Sequence, residues 1–411
     1  MESVSDTKGR VYKLSDQHQK DSLEFFRKLI KIQSENYGNG KGNEKNIANF
    51  VSDALSPLGL KGKFYEPAEN RLSYVAQLEG STKSKSSNLA LYSHLDTVPV
   101  GNLDDWTHPP FAAVISDGRL HGRGTADNKQ GIASNISAIK YLVESGVELK
   151  GNVTLLLVAD EENGGNLGLA SVLKNGDVKP SYCCYTHNGI PEDELAPFFL
   201  GLGHRGLIWV KVSIKGKAAH SSRKEEGLNA IYLMSKFVQR IEELKVPVNP
   251  HHIVPGGITI SVNMINGGKK NNVVADTCDA IIDCRHIPGF TSADLVRIVN
   301  YNLDRVRVET GNFTSEVTVL SEAESTFVEQ TEPIVSEVES VYREFNPKRI
   351  INKAGHKATS DSRWLLKSGI PTAFGLAAEG KNLHGPNESV NIEHFLESIK
   401  MQASLIINTV G

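Results

Sequence analysis

Cysteine, tryptophan and long apolar runs are all scarce in this chain. Four cysteines in 411 residues (Cys183, Cys184, Cys278, Cys284) are too few for a disulfide framework. Neither the adjacent pair nor the later two make a CxxC metal knuckle, so all four read as buried small hydrophobes. No stretch of about 18 apolar residues is present to span a bilayer. The polar opening MESVSDTKGRVYK lacks the apolar core of a signal peptide, so a soluble cytoplasmic protein is expected. An excess of one charge is also missing. Lys plus Arg number 45 against 48 Asp plus Glu, a formal charge of −3, which gives no basic field for nucleic acid or an anionic membrane. Internal repeats and low-complexity tracts are absent, and the one loose stretch, STKSKSSN at 81–88, reads as a solvated hairpin or loop.

What is there is an ordinary globular composition, 39% hydrophobic with 36 Gly and 16 Pro, long enough for two to three domains at about 150 residues each. Two amphipathic helices open the fold, one with Leu23, Phe26 and Ile30 on its apolar face, the next with Ile47, Phe50, Val51 and Leu55. Strand-like runs then alternate with helical ones: LALYSHLD, NKQGIASNISAIKYLVESG, VTLLLVADEE and SYCCYTH. Continuous apolar strands with helical crossovers predict an α/β catalytic domain, a mostly parallel sheet with helices on both faces. From about Gly206 the pattern changes to β-α-β-β-α-β, as in a ferredoxin-like α+β sandwich. The expected division is 1–205 with 323–411 for the first domain and 206–322 for the inserted one.

Ligands of an open α/β sheet sit outside the carboxyl ends of its strands, so the polar residues that end the apolar runs matter most. The first run ends in Ser93-His94-Leu95-Asp96, where extended geometry sends His94 and Asp96 to the same side. A carboxylate beside a metal-bound imidazole fixes its tautomer and raises its basicity. In HGRGTADNKQG a Gly-rich turn delivers Asp127 to the start of a helix, where alone it could be a cap. Three acids in a row, Asp160, Glu161 and Glu162, leave the apolar run VTLLLV, and like charges so close repel unless a cation or retained protons neutralise them. SYCCYTH ends in His187, and His384 follows the late strand in LHGPNE. Three imidazoles and two carboxylates (His94, His187, His384, Asp127, Glu162) make an N/O set suited to zinc, cobalt or manganese. A carboxylate among them can bridge two ions about 3.5–4 Å apart.

At the motifs SHLDTVPVG, HGRGTADNKQG, DEENGG, GKAAHSS with GLNAI, NVVAD with DCR, TSD and LHGPNE, the chain resembles the co-catalytic zinc aminoacylases and exopeptidases. Acetylornithine deacetylase, succinyl-diaminopimelate desuccinylase, aminoacylase and carboxypeptidase G belong to that family, and the likeness runs over nearly the whole chain. The resemblance implies two divalent ions, zinc first, with cobalt or manganese as alternatives. Asp127 would bridge them, Glu162 and His384 would complete one site, and His94 and His187 the other. Glu161 would be the general base, Asp96 would orient His94, and a cis peptide would follow Asp127. The inserted domain would serve dimerisation and act as a lid, and His220 would reach the active site of the partner in a homodimer to steady the oxyanion. Asn272, Arg285 and Thr359 are implied as substrate binders, with Thr359 in the catalytic domain. Two dications outweigh two carboxylate ligands and a hydroxide, which favours an anionic substrate such as an N-acyl amino acid or a short peptide.

Alternatives accompany several of these residues. His220 alone would read as a surface histidine at a strand end, and Arg285 equally as one half of a salt bridge. Most relatives carry Glu or Asp where His187 stands. Carbamoyl-amino-acid hydrolases have His there, but with a shorter gap than the 33 positions from His94 to Asp127. Lys224 and Ala275 replace prolines of the pattern, and His356 and Lys357 replace glycines ahead of TSD, changes expected in loops and in the substrate pocket. A carbamoyl-amino-acid-type amidohydrolase, a di- or carboxypeptidase, and a silent binding protein on the same scaffold are the competing readings. Retention of Glu161 and all five ligands opposes the last. Serine hydrolysis through Ser93 or Ser221 lacks a nucleophile-elbow motif. His18, His251, His252 and His394 read as partnerless surface residues, and His108 and His121 as structural or supporting neighbours of the metal loop.

Overall fold

The computed structural model describes residues 14–38, 40–82, 88–187, 198–348 and 350–411. The chain divides into two compact units. Met1–Gly203, Phe327–His356 and Ser360–Gly411 form the first, and His204–Thr326 with Lys357–Thr359 the second.

The first unit is built on the apolar runs. Asn88–His94 and Asn152–Val158 are buried from their second residue to their last, which requires cover on both faces. Asn152–Val158, Asn88–His94, Tyr182–Tyr185 and Thr372–Phe374 lie side by side and parallel. Ser73–Leu78 and Lys61–Tyr65 extend the sheet antiparallel on one side. Phe198–His204, Thr326–Phe327 and Ile351–His356 lie on the other. Strand alternation sends Ala90, Tyr92, Leu156, Val158, Cys183 and Tyr185 to one face, where Leu169, Val172 and Leu365 of helices Leu169–Lys174 and Ser362–Lys367 meet them. Leu89, Leu91, Leu155 and Leu157 are buried on the opposite face, where helices Lys129–Glu144 and Ile392–Val410 approach the strands. The expected architecture, a mostly parallel sheet between helices, is what the chain forms.

The opening helices, Asp16–Lys31 and Lys45–Leu55, bury Phe26 and Ile30, and Ile47, Val51 and Leu55, as their spacing predicts. A second, small sheet of the same unit joins Gly380–Lys381, Ser389–Asn391, Arg119–His121 and Val114–Ser116, all antiparallel. Its strands are two or three residues long, too short to leave a pattern in the sequence. Its register sets Ser389 opposite His121, which brings the LHGPNE segment against the Gly-rich loop before Asp127.

The second unit has the strand order Thr259–Gly267, Thr277–His286, Gly206–Lys215, Thr314–Ala323, every neighbour antiparallel. Helices Ala230–Glu242 and Ser292–Thr310 follow its first and third strands in chain order. This is the ferredoxin-like series, and Val210, Val212, Ile282, Phe237 and Leu303 lie in its own core.

All four cysteines are buried and unbridged. Of the loose stretch at 81–88, residues 83–87 lie outside the described residues. Ser81 and Thr82 donate their amides to Leu149 and Lys150, and Asn88 already opens a strand. All four histidines expected to lack partners have them, His252 through the His251 ring with centroids 4.6 Å apart. His18 Nε2 meets Glu144 at 2.9 Å, His394 Nδ1 lies 3.5 Å from Glu379, and His251 Nδ1 accepts the amides of Ile253 and Val254. These partners sit far along the chain or within one turn, where a sequence pattern does not show them. Among the described residues, no helix is long and apolar enough to cross a membrane.

Candidate metal centre

The parallel register decides the site. His94 pairs with Val158, and Tyr92 pairs with both Leu156 and Tyr185. The ends of three strands are therefore level, and His94, the acid turn after Val158, and His187 emerge at one edge. Asp127 arrives from the Gly-rich loop at the start of helix Lys129–Glu144, with a cis peptide between Asp127 and Asn128. His384 comes from the late loop with a left-handed backbone, φ 62°.

Three imidazoles converge on the Asp127 carboxylate. Asp127 Oδ1 lies 2.9 Å from His94 Nε2 and 3.1 Å from His187 Nε2, while Oδ2 lies 3.2 Å from His384 Nε2. Glu162 Oε2 is 3.2 Å from the same His384 nitrogen. Ligand atoms of His94, Asp127 and Glu162 all fall within 4.8 Å of one another.

His94 donates through Nδ1 to the backbone carbonyl of Asp96 at 3.0 Å, so in the neutral ring Nε2 turns a lone pair toward the Asp127 carboxylate. A lone pair facing a carboxylate is repulsive unless a proton or a metal cation lies between them. Glu162 Oε1 is buried without a hydrogen-bond partner. Both observations fit a cation-binding donor set.

The electrostatics follow from crowding. Burial opposes charge on His94, but Asp127 and Asp96 outweigh it and hold the imidazole well above its ordinary range. Burial would likewise raise Asp127, yet His187, His384 and His94 keep it well below the usual carboxylate range. Hydrogen bonds from Asp127 and Glu162 push His384 up to about 11, and burial with the Asp127 charge pushes Glu162 up to about 7. Burial, reinforced by Asp127 and Asp96, also raises Glu161. Such a site holds protons at neutral pH where divalent ions would compete for the same atoms.

The three consecutive acids divide their work. Asp160, with a left-handed backbone, turns away to Arg71 Nη2 at 2.8 Å and to Asn36. Glu161 and Glu162 remain on the site, and Glu161 Oε1 accepts the amide of Asp361 at 3.3 Å. Asp96 was expected to orient His94. Its backbone carbonyl does so, while its carboxylate stands 3.4 Å from Nδ1 and mainly takes the amides of Glu161 and Glu162, each at 3.1 Å. Asp96 thus ties the histidine strand to the acid turn.

The remaining predicted residues belong to the second unit. His220 is exposed. Its Nδ1 accepts the amide of Ser222 and lies 2.8 Å from Ser222 Oγ, which leaves Nε2 to carry the proton. Asn272 is exposed on the segment whose Val273 bridges to His220. Arg285 engages Asp283 through Nε at 2.9 Å and Nη2 at 3.1 Å, the ion pair that was its alternative reading. Thr359 groups with this unit rather than the first, its hydroxyl donating to the Arg205 carbonyl at 3.0 Å.

Sequence reasoning missed the buried support beneath the site. Asn36 donates to Asp96 at 2.9 Å, and Arg71 Nη2 is 2.8 Å from both Asp160 and Glu44. Asn36 and Arg71 stand in unremarkable loops, and nothing in their neighbourhoods signals such distant partners. Asp361, the acid of the TSD motif, is buried with its carboxyl held well above the usual range by burial and by Glu161.

The family model described as peptidase family M20/M25/M40 matches residues 90–408. The chain belongs to this family. A succinyl-diaminopimelate desuccinylase of Pelagibacter ubique is 26% identical over 366 residues, covering 88% of this chain and 93% of that protein. A tripeptidase structure from Staphylococcus aureus superposes with a TM-score of 0.76 at 22% identity, covering 95% and 98% of the two chains. A dinuclear metal-binding M20 peptidase from Bacillus subtilis gives 0.71 at 15% identity, over 96% and 99%. This M20 protein is accordingly a metal-dependent hydrolase of the peptidase and desuccinylase type.

Proposed function

We propose that the protein is a dinuclear amidohydrolase that cleaves the amide bond of N-acyl amino acids or small peptides. One observation carries the reading. The two oxygens of Asp127 are met by different imidazoles, Oδ1 by His94 and His187 and Oδ2 by His384, beside which stands Glu162. A carboxylate shared in this way divides the donors into two sets, His94 with His187 and Glu162 with His384. Two divalent ions held there, zinc before cobalt or manganese, would polarise the amide carbonyl and bring water's acidity near neutrality.

The chain's own residues do the rest. Asp96 fixes the His94 tautomer, leaving Nε2 as the ligand atom, and holds the acid turn through its two amides. Glu161 has Oε1 occupied by the Asp361 amide, so the other oxygen takes the proton of the attacking water and returns it to the leaving amine. Its raised affinity for protons suits that double duty. In a homodimer formed through the second unit, the exposed Nε2–H of His220 would donate to the oxyanion in the partner's site. Asn272, Arg285 and Thr359 would bind the substrate's backbone and carboxylate, and for Arg285 that carboxylate competes with Asp283. Four buried, unbridged cysteines suit a compartment that keeps thiols reduced, and we place the protein in the cytoplasm.

The test is a panel of N-acyl amino acids, N-carbamoyl amino acids, di- and tripeptides offered to protein reconstituted with zinc, cobalt or manganese. Hydrolysis of at least one class, lost on chelation and restored by metal with two ions bound per chain, is expected. No hydrolysis across the panel, or a single ion at saturation, overturns the reading.

A further inference from the structure

The last residue of LHGPNE, Glu388, has no role in the chemistry above, yet it is wholly buried beside the site. Its carboxylate is fully used. Oε1 accepts the amides of Ala126 at 2.7 Å and Asp127 at 3.1 Å, and Oε2 accepts the amide of Gly124 at 3.0 Å and Arg123 Nη1 at 2.6 Å. Arg123, also buried, donates from Nη2 to the carbonyls of His384 and Pro99, both at 3.3 Å. The backbone carbonyl of Glu388 takes the Gly122 amide at 2.9 Å. One buried ion pair therefore touches the segments that carry Asp127 and His384 and the loop that follows His94.

We infer that Glu388 is the positioning residue for the shared carboxylate, acting through the backbone of Gly124–Asp127, so that its loss weakens both ions together. The inference rests on the two-ion reading. A carboxylate can accept from three amides and a guanidinium at once, because both of its oxygens only accept. The amide of glutamine cannot, since its NH2 would face the Gly124 amide and Arg123, two donors with nothing to donate to. The strand register of the small sheet supplies the reach, as Ser389 opposite His121 leaves Glu388 level with the turn. Substitution of a ligand held by one ion, His187 or His384, would instead impair that site first.

The experiment is zinc titration of the metal-free full-length protein against a chromophoric chelator, for wild type, Glu388→Gln, Arg123→Lys and His384→Ala. Circular dichroism and the melting of each metal-free protein accompany it. Glu388→Gln is expected to weaken both zinc constants about 10- to 100-fold, to alter the visible spectrum of the cobalt form, and to lower kcat with KM within threefold. Arg123→Lys keeps the charge but loses the fork to His384 and Pro99, and should move both constants in the same direction. Glu388→Gln that is folded and binds two zinc ions with wild-type constants overturns the inference and leaves the two-ion reading intact. Should that variant fail to fold, a folded Arg123→Lys with unchanged constants overturns it, and one with both constants weakened supports it. Wild-type protein that binds one ion only would sink the two-ion reading itself, and the inference with it.

Discussion

As the general base we propose, Glu161 is the residue whose removal should separate binding from chemistry. It lies beside the ligands, holds none of the Asp127 contacts, and has one oxygen free of the Asp361 amide. Glu161→Gln should lower kcat by about 10²- to 10⁴-fold while zinc stoichiometry stays at two, read by metal analysis after gel filtration. Equal loss of metal and activity would make Glu161 a ligand instead. A second residue-scale prediction concerns Glu44, buried with Arg71 and facing the like charges of Asp96 and Asp160. One guanidinium nitrogen serves both Glu44 and Asp160 at 2.8 Å, so the cluster keeps an excess of carboxylates. Burial, then Asp96, pushes the Glu44 carboxyl up to about 8. The folded state therefore binds more protons than the unfolded one between the ordinary carboxyl range and about pH 8, and stability falls as pH rises through that window. Glu44→Gln should flatten this slope, measured by urea unfolding at pH 5 and pH 8. An unchanged slope would show that Arg71 compensates the charge fully.

At the scale of elements, the acid turn is closely packed against the TSD segment. Gly165 has φ 65°, and a Cβ there would stand 1.8 Å from Asp361 Oδ2. Gly165→Ala should therefore displace the turn that carries Glu161 and Glu162, cutting kcat by at least tenfold and weakening zinc binding. Gly176→Ala, at a φ of 73° with open space around it, is the control that bears the backbone strain alone. If both variants behave alike, contact with Asp361 is not what fixes the turn. The strands beneath are ordinary in comparison. Leu156 is fully buried in Asn152–Val158, and Leu156→Ala should cost about 2–5 kcal/mol by chemical unfolding.

For the whole molecule, the question is whether function needs a second chain. The homodimer we propose predicts complementation. Glu161→Gln and His220→Ala proteins, each nearly inactive, should regain activity when unfolded together and refolded as a mixture, because a mixed dimer contains one intact pairing of Glu161 with the partner's His220. No recovery, with dimers present by sedimentation, would remove His220 from the partner's site. The second unit has its own core, with Phe237 fully buried in it. Phe237→Ala should cost about 3–5 kcal/mol in that unit and leave the zinc constants of the first unaltered.

Much of this was legible beforehand, for identifiable physical reasons. Apolar runs such as VTLLLV and the period of the helical segments depend on neighbours a few residues away, so the elements and both unit types could be read from the chain. The residues we propose as metal ligands could be picked out as well, because strand ends in a parallel sheet share one edge and chemistry restricts which residues stand there. Only the tertiary structure decided that Asp160 leaves the acid trio for Arg71 and that Asp96 grips the turn more than the histidine. It alone brought Glu388 to the Gly124–Asp127 backbone, across more than two hundred and fifty positions. Those partnerships are set by register and burial among segments distant in the chain, and a buried charge takes whatever counter-charge the packing brings within reach.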